Sequence, residues 1–267
     1  MPTSRKQIVA SYEETGSKDV TANILGVSRS KVRRIIAEEF PTTSNVLVIG
    51  DCHAPCMLPG YVDFLLDIQE LYGCDRVVHI GDMVDWASIS YHPKAPSLKN
   101  SEAEFAKAFK QVQALARWFP KLDYLIGNHD ALSERQATDA GLPVLVLKDF
   151  NDLWGVPEWN VIPRYGHVEI DNVLYQHGDR GRGGQHNSAF LNAQEEHRSV
   201  VQGHFHAQAG VNYFANQRSR VFGMQVGCGC DHQQLAMDYG KKFNKKPIVG
   251  CGVVLKGSSA VFHPMEL

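Results

Sequence analysis

The chain is expected to fold as an α/β protein led by a small helical segment, and three observations point there. Residues 4–40 carry apolar positions at helical spacing, interrupted by glycines. From Val46 onward, short β-branched runs alternate with long amphipathic stretches. Several of those short runs end in loops rich in Asp, Asn and His, where open α/β sheets place their sites.

Three helices are read in residues 4–40. Ile8, Val9 and Tyr12 give the first an apolar side, Val20, Ile24 and Leu25 the second, and Val32, Ile35 and Ile36 the third. Gly16 and Gly26 stand where helices end, because glycine accepts the left-handed conformation that C-termini favour. Ser28 is placed to cap the third helix. "FPTTSN" (Phe40 to Asn45) is polar, contains proline and reads as a linker, giving a front domain 1–40, a linker 41–45 and a large domain 46–267.

In the large domain "VLVIG" is a buried strand, "YVDFLLDIQELYG" an amphipathic helix and "RVVHIG" a second strand. Glu102 to Trp118 is a second long helix and "DYLIG" a third strand. This βαβαβ order predicts a sheet with helices against it. After residue 155 the pattern turns to β. "HVEIDNVLYQHG" reads as a hairpin on a two-residue Asp-Asn turn. "SVVQGH", "RVFGMQVG" and "VGCGVVLKGSSAVFH" continue as strands, and "DYGKKFNKKP" is a basic, exposed excursion.

With 43% hydrophobic and 21% charged residues the composition is that of an ordinary globular protein. No apolar run approaches the ~18 residues needed to span a bilayer. The acidic N-terminal stretch does not read as an export signal, so a cytoplasmic protein with six reduced cysteines and no membrane partner is expected. A net charge of −2 excludes a polycation, yet residues 1–40 hold seven Lys/Arg against five acids. Arg29 to Arg34 contains four cations and no acid.

Five loops carry the chemistry. "VLVIGDCH" supplies Asp51 and His53, "VVHIGDMVD" Asp82 and Asp85, and "DYLIGNHD" Asn128, His129 and Asp130. "LYQHGD" adds His177, and "VVQGHFH" His204 and His206. Carboxylates, imidazoles and one amide can build adjacent sites for divalent metals without a cysteine ligand. Glycines 50, 81, 127 and 203 permit the tight strand exits that aim these side chains inward. DxH or GDxxD alone is ordinarily a capped turn; all five in order, each after a strand, serve no packing purpose.

The ordered set DxH, GDxxD, GNHD, H and GHxH resembles the calcineurin-like metallophosphoesterase superfamily, by motif over residues 46–206. The resemblance implies an αββα sandwich, two β-sheets flanked by helices, holding a carboxylate-bridged pair of divalent ions. Mn²⁺ is the expected metal, with Zn²⁺, Fe²⁺, Ni²⁺ and Mg²⁺ as alternatives. Asp51, His53 and His206 would hold one ion, Asn128, His177 and His204 the other, and Asp82 would bridge them. His129 would sit near the scissile phosphate as general acid or transition-state stabiliser. Asp85 is expected to orient a ligand histidine or loop amide, and Asp130 to act similarly on His129.

Protein serine/threonine phosphatases of this superfamily read GDxVDRG and GNHE, their arginine clamping a monoester. Here the stretches are "GDMVDW" and "GNHD", with Trp86 in the arginine's place. That departure favours phosphodiesterases and nucleases. Trp86, His92 and Arg135 follow metal motifs and are candidates for the substrate groove. Arg180 and Arg182 either hold phosphates or belong to a solvated loop. His79 is read as a hydrogen-bonded core residue, and "CGC" (228–230) as buried thiols in a glycine-rich turn.

The front segment resembles the helix-turn-helix units of resolvase-like and phage-type DNA-binding proteins. Ala22 is small where helices cross, Gly26 makes the turn, and Val27 and Val32 fill the seam. Arg29, Ser30, Lys31, Arg33 and Arg34 would face a major groove. The plainer alternative is a helical bundle for assembly whose charges are solvated. The expectation is therefore a two-metal phosphodiesterase acting on DNA and addressed by a helix-turn-helix, a combination that looks like phage or prophage gene products. Competing readings are a phosphomonoesterase or small-molecule phosphodiesterase with an assembly domain, and a DNA-binding regulator with an inactive catalytic domain. Oligomeric state is not legible.

Overall fold

The computed structural model describes residues 3–39, 43–92, 96–181, 187–234, 244 and 246–266. The chain forms two units, Met1–Thr43 and Ser44–Leu267. Asn45, expected in the linker, is the first residue of a strand. Among the described residues no helix is long and apolar enough to cross a membrane.

The front unit has helices α1 (Arg5–Thr15), α2 (Lys18–Leu25) and α3 (Arg29–Glu39). Ser4 and Gln7 close a capping box on α1. Gly16 and Gly26 end α1 and α2 at φ 63° and 61°. The Ser28 Oγ accepts the Lys31 N–H at 3.3 Å, as a cap should. Ile8, Ala22, Val32, Ile35 and Ile36 form the core. One face differs from expectation: α2 buries Thr21 and Ala22, with Leu25 packed beside them, while Val20 and Ile24 are exposed. The seam at this crossing is narrow, so it takes the small Ala22 and a Thr21 whose hydroxyl meets that of Thr15 at 2.9 Å.

The cations of Arg29 to Arg34 have acidic neighbours, one from α2 and one from the end of α3 itself. Arg29 and Arg33 lie 3.4 and 3.8 Å from Asp19 of α2, and Arg34 lies 3.6 Å from Glu38. Lys31 Nζ donates to the Thr3 carbonyl at 3.2 Å.

In the second unit one six-stranded sheet comprises β1 (Asn45–Ile49), β2 (Arg76–His79), β3 (Asp123–Leu125), β4 (Asn160–Ile162), β10 (Gly250–Leu255) and β11 (Ser259–Pro264), in the order β11-β10-β1-β2-β3-β4. The other comprises β5 (Val168–Ile170), β6 (Val173–Gln176), β7 (Ser199–Gln202), β8 (Ala209–Ala215) and β9 (Arg220–Val226), in the order β5-β6-β7-β9-β8. Asp171 and Asn172, both at positive φ, make the β5–β6 turn as expected.

Alternation sorts the faces. Val46 and Val48 meet Tyr175, Val201 and Met224 in a core between the sheets. Leu47 and Ile49 point the other way, under α4 (Tyr61–Tyr72), α5 (Ser101–Trp118) and α7 (Phe150–Trp154). The outer face of the second sheet is covered by α8 (Ser188–Glu196), through Ala193 against Leu174 and Val200. The result is the expected sandwich of two sheets flanked by helices. After residue 155 the pattern does turn to β, but α8 lies there unforeseen; α6 (Leu132–Asp139), α7, β4 and β8 were also not read. These elements are short or only weakly periodic, so no stripe marks them.

Candidate metal centre

Strands β1, β2 and β3 run parallel, as do β6 and β7, so their C-terminal loops gather side by side. Backbone bonds lock the loops. Cys52 and His53 donate to the Asp82 carbonyl at 3.0 and 2.9 Å, and Gly203 donates to the His177 carbonyl at 2.9 Å. A Cβ on Gly127 would collide with the Asp82 carboxylate, and one on Gly203 with that of Asp51. His53, Asp82 and His204 all sit at positive φ, 50°, 49° and 69°. Such backbone costs roughly 1–3 kcal/mol per residue and persists where the surroundings over-determine it.

Two groups of ligand atoms result. Asp51, His53 and His206 form one and Asp82, His177 and His204 the other, each with its atoms within 4.8 Å. The His206 Nε2 lies 2.9 Å from Asp51 Oδ2 and 3.2 Å from His53 Nε2. The Asn128 Oδ1 lies 3.0 Å from His177 Nε2. Asp82 reaches both groups: its Oδ2 is 3.3 Å from His177 Nε2 and 3.9 Å from His53 Nε2. The donors are carboxylate and amide oxygens with imidazole nitrogens, and among the described residues the buried Asp51 Oδ1 has no hydrogen-bond partner. This set fits divalent cations.

The electrostatics agree. Burial alone would raise Asp82, but the His177 and His129 charges hold it well below the usual carboxylate range. Burial opposes protonation of His177 and His206, yet Asp82 carries His177 up to about 10. For His206 the outcome is about 9, with Cys228 and Asp51 opposing the burial. Burial keeps His53 and His204 low. Each group therefore keeps one proton at neutral pH that a cation must displace. Metal loading at pH 8 is expected to release protons from His177 and His206. Calorimetry in two buffers of different ionisation enthalpy checks this, and a buffer-independent heat would contradict it.

The remaining residues take distinct places. The Asp85 carboxylate holds His53 Nδ1 at 2.9 Å and lies 3.2 Å from His129 Nδ1, which also donates to the Asp85 carbonyl at 2.8 Å. One residue thus contacts both His53 and His129, where a ligand histidine or a loop amide was expected. Burial would raise Asp85, but the hydrogen bonds from His129 and His53 take it to about 2. Burial lowers His129, and the Asp82 charge with the Asp85 bond overcomes it, to about 10.

Asp130 does not act on His129. Its Oδ2 accepts the N–H groups of Asp82 and Gly127, both at 2.8 Å, and its Oδ1 that of Val84 at 3.2 Å. The turn after Asn128 sends consecutive side chains apart, so Asp130 enters the core and ties two metal loops by their backbone.

Trp86 is packed against Phe105 and Trp154, ring centres 6.2 and 5.6 Å away, so packing accounts for it. Arg135 lies over the Tyr91 ring, His92 is exposed, and Arg180 donates to the Tyr165 carbonyl. Arg182 lies outside the described residues. His79 is a buried residue, bonded by the Gly81 N–H as its strand position implied. Cys228 and Cys230 are buried thiols 3.4 Å apart, but they also lie within 4.8 Å of the His206 ligand atom, which sequence reasoning did not foresee. It also missed Gln202 and Gln225. Their signal was present: "QHG", "QGH" and "QVG" end three strands of the second sheet, each beside a histidine or glycine exit.

A family model described as calcineurin-like phosphoesterase matches residues 44–232. No curated protein matches the chain. Among solved structures, Yfce, a phosphoesterase from E. coli, is 14% identical, with 78% of this chain and 87% of that one covered at a TM-score of 0.38. Vacuolar protein sorting 29 from Cryptosporidium parvum is 15% identical, covering 84% and 97% at 0.39. The nuclease MPE of Pseudomonas putida is 14% identical, covering 82% and 87% at 0.36.

Proposed function

The chain belongs to the calcineurin-like phosphoesterase family, and from that premise we propose that it is a two-metal phosphodiesterase acting on DNA. The observation that carries the reading is Asp82, whose carboxylate reaches an imidazole of each ligand group. Asp51, His53 and His206 would hold one ion and Asn128, His177 and His204 the other, with Asp82 shared. Mn²⁺ is the proposed ion, its affinity for carboxylate and amide oxygens supporting that choice, with Zn²⁺, Fe²⁺, Ni²⁺ or Mg²⁺ as alternatives. Bound divalent ions supply Lewis-acid charge to the phosphoryl oxygens and an activated water. The protein's own part is positional. Asp85 fixes His129 by Nδ1, so that Nε2 serves the phosphate or protonates the departing oxygen.

A diester is favoured over a monoester by charge. The residue after "GDMVD" is Trp86, turned into an aromatic cluster, so that position gives no guanidinium to a dianionic phosphate. The purified chain with Mn²⁺ is expected to hydrolyse bis-p-nitrophenyl phosphate faster than p-nitrophenyl phosphate. A preference for the monoester overturns the diesterase assignment.

DNA enters through α3. Arg29, Arg33 and Arg34 are each more than half exposed, and their ion pairs with Asp19 and Glu38 are of the weak surface kind that phosphate can replace. With Gly26 turning α2 into α3, the unit has the order of a helix-turn-helix, a build that looks like phage-type DNA-binding proteins. Arg33→Ala in the full chain is expected to weaken duplex binding across sequences and to lower the salt slope of log K by about 1. Fluorescence anisotropy over a salt series measures it; an unchanged slope would assign the unit to assembly.

A further inference from the structure

Beyond the end of β9 the chain reads "GCGCD" (Gly227 to Asp231), and its two thiols take no part in the chemistry above. In an extended segment alternate residues point to one face, so Cys228 and Cys230 share a face and Gly229 takes the other. A Cβ on Gly229 would strike the Tyr61 ring, while the two sulfurs stand 3.4 Å apart. Backbone bonds hold this segment on both sides. Gly229 donates to the Asp51 carbonyl at 2.7 Å and accepts from Leu58 at 2.9 Å, and Asp231 donates to the Cys56 carbonyl at 2.7 Å. Cys228 donates to the Ile248 carbonyl at 3.0 Å, and Ile248 in turn donates to the His206 carbonyl at 2.8 Å. One residue therefore fixes the backbone of both Cys228 and His206.

The three side chains converge. A ring nitrogen of His206 and the sulfurs of Cys228 and Cys230 all lie within 4.8 Å of one another. Among the described residues no other cysteine enters such a group of three, although Cys52, Cys56, Cys74 and Cys251 are buried as well. Two sulfurs on a tetrahedral ion, each at the usual zinc–sulfur distance, stand about 3.8 Å apart, so a small outward shift of this pair admits an ion. Two thiolates and an imidazole form a soft donor set, which selects Zn²⁺ and its heavier relatives over Mn²⁺ or Mg²⁺. Three ligands leave the fourth tetrahedral position to water. Both thiols are fully buried, as is Asp51 in the metal centre, so an ion arrives past His206, whose side chain is 18% exposed. On binding, both thiols give up their protons.

His206 belongs to the other donor set too, with its Nε2 at 2.9 Å from Asp51 Oδ2 and 3.2 Å from His53 Nε2. A neutral imidazole offers one lone pair, because its other nitrogen carries the proton. His206 can therefore serve one ion at a time. An ion on the sulfurs takes it from Asp51 and His53, and an ion on Asp51 and His53 takes it from the sulfurs.

We propose that His206, Cys228 and Cys230 form an alternative site for a thiophilic divalent ion of the zinc kind, exclusive with the ion held by Asp51, His53 and His206. The exclusion rests on the reading of the metal centre; the thiolate site rests on its three donors alone. The test is titration of the full, reduced, metal-free chain with Cd²⁺, a spectroscopically visible relative of Zn²⁺. One equivalent is expected to raise a thiolate-to-metal charge-transfer band in the ultraviolet. NMR of the bound cadmium should show scalar coupling to the β-protons of Cys228 and Cys230, which needs no variant. Cys228→Ser is expected to weaken cadmium binding by about tenfold or more, since even the partners of metal ligands are worth that much. Absence of the band, or coupling to other cysteines instead, overturns the site. Prior loading with Mn²⁺ is expected to lower the apparent cadmium affinity by about tenfold or more, and an affinity indifferent to Mn²⁺ overturns the sharing of His206. Hydrolysis of bis-p-nitrophenyl phosphate by the Mn²⁺-loaded chain is scored separately. Thiolate coordination without hydrolysis would remove the diesterase reading and leave this site; hydrolysis without thiolate coordination would do the reverse.

Discussion

Asp82→Ala is expected to lower kcat/KM for a phosphodiester by about 10³-fold, the scale of losing a preorganised electrostatic group at a reacting centre. Metal content should fall with it. Asp82 combines three tasks that no neighbour duplicates. Its Oδ2 reaches His177 and His53, so it neutralises both ligand groups at once. Its Oδ1 accepts the His129 N–H at 2.7 Å, which fixes the loop bearing both Asn128 and His129. Its own backbone sits at φ 49°, a conformation held by the bonds that Cys52 and His53 donate to its carbonyl. Alanine removes the first two tasks. Asp82→Asn separates them, since an amide oxygen can still accept from His129 while the charge is gone. If charge dominates, Asn and Ala should lose metal alike, read by elemental analysis of dialysed protein. Normal metal content in both, with activity kept, would mean the ions are held without Asp82 and that the centre is misassigned.

The candidate site was legible as a set of strand-end loops, most of them opening on a glycine. Asp51 and His53, Asp82, Asn128, His177, His204 and His206 stood out at strand ends, their division into ligand sets came from the family resemblance, and the parallel strands bring them together. Direction of a side chain within such a loop is a different matter. His129 and Asp130 are adjacent, yet one joins the ligand groups and the other enters the core, and only the turn's backbone decides which. Helix faces failed for a related reason. Val20 and Ile24 are the more apolar choice for α2, but the crossing has room only for Thr21 and Ala22. Arg29 to Arg34 does hold four cations and no acid, but the nearness of Asp19 to Arg29 and Arg33 could not be read from that stretch because Asp19 belongs to another helix. Gln202 and Gln225 escaped notice because amides at strand ends resemble ordinary polar exits until the register is known.

Asp130→Ala is expected to cost on the order of 4 kcal/mol of stability, a large share of the 5–15 kcal/mol typical of a domain. The buried carboxylate accepts N–H groups from Asp82, Val84 and Gly127, and alanine would leave all three without a partner. Each orphaned amide costs about 1–3 kcal/mol, and the three are neighbours, so their costs do not simply add. Burial and the Asp82 charge, opposed by the Gly127 N–H, raise this carboxyl to about 6. The fold therefore tolerates an unfavourable charge to keep the two loops joined. Urea unfolding of the metal-free chain measures the loss and separates two roles. A residue that only oriented His129 would leave the unfolding midpoint in place and move the pH dependence of hydrolysis instead. A residue that ties the loops lowers the midpoint first and weakens metal binding as a consequence. Asp130→Asn should fall between, because its amide keeps one acceptor oxygen but turns an NH₂ toward an N–H. An unchanged midpoint in the alanine variant would return Asp130 to the catalytic side.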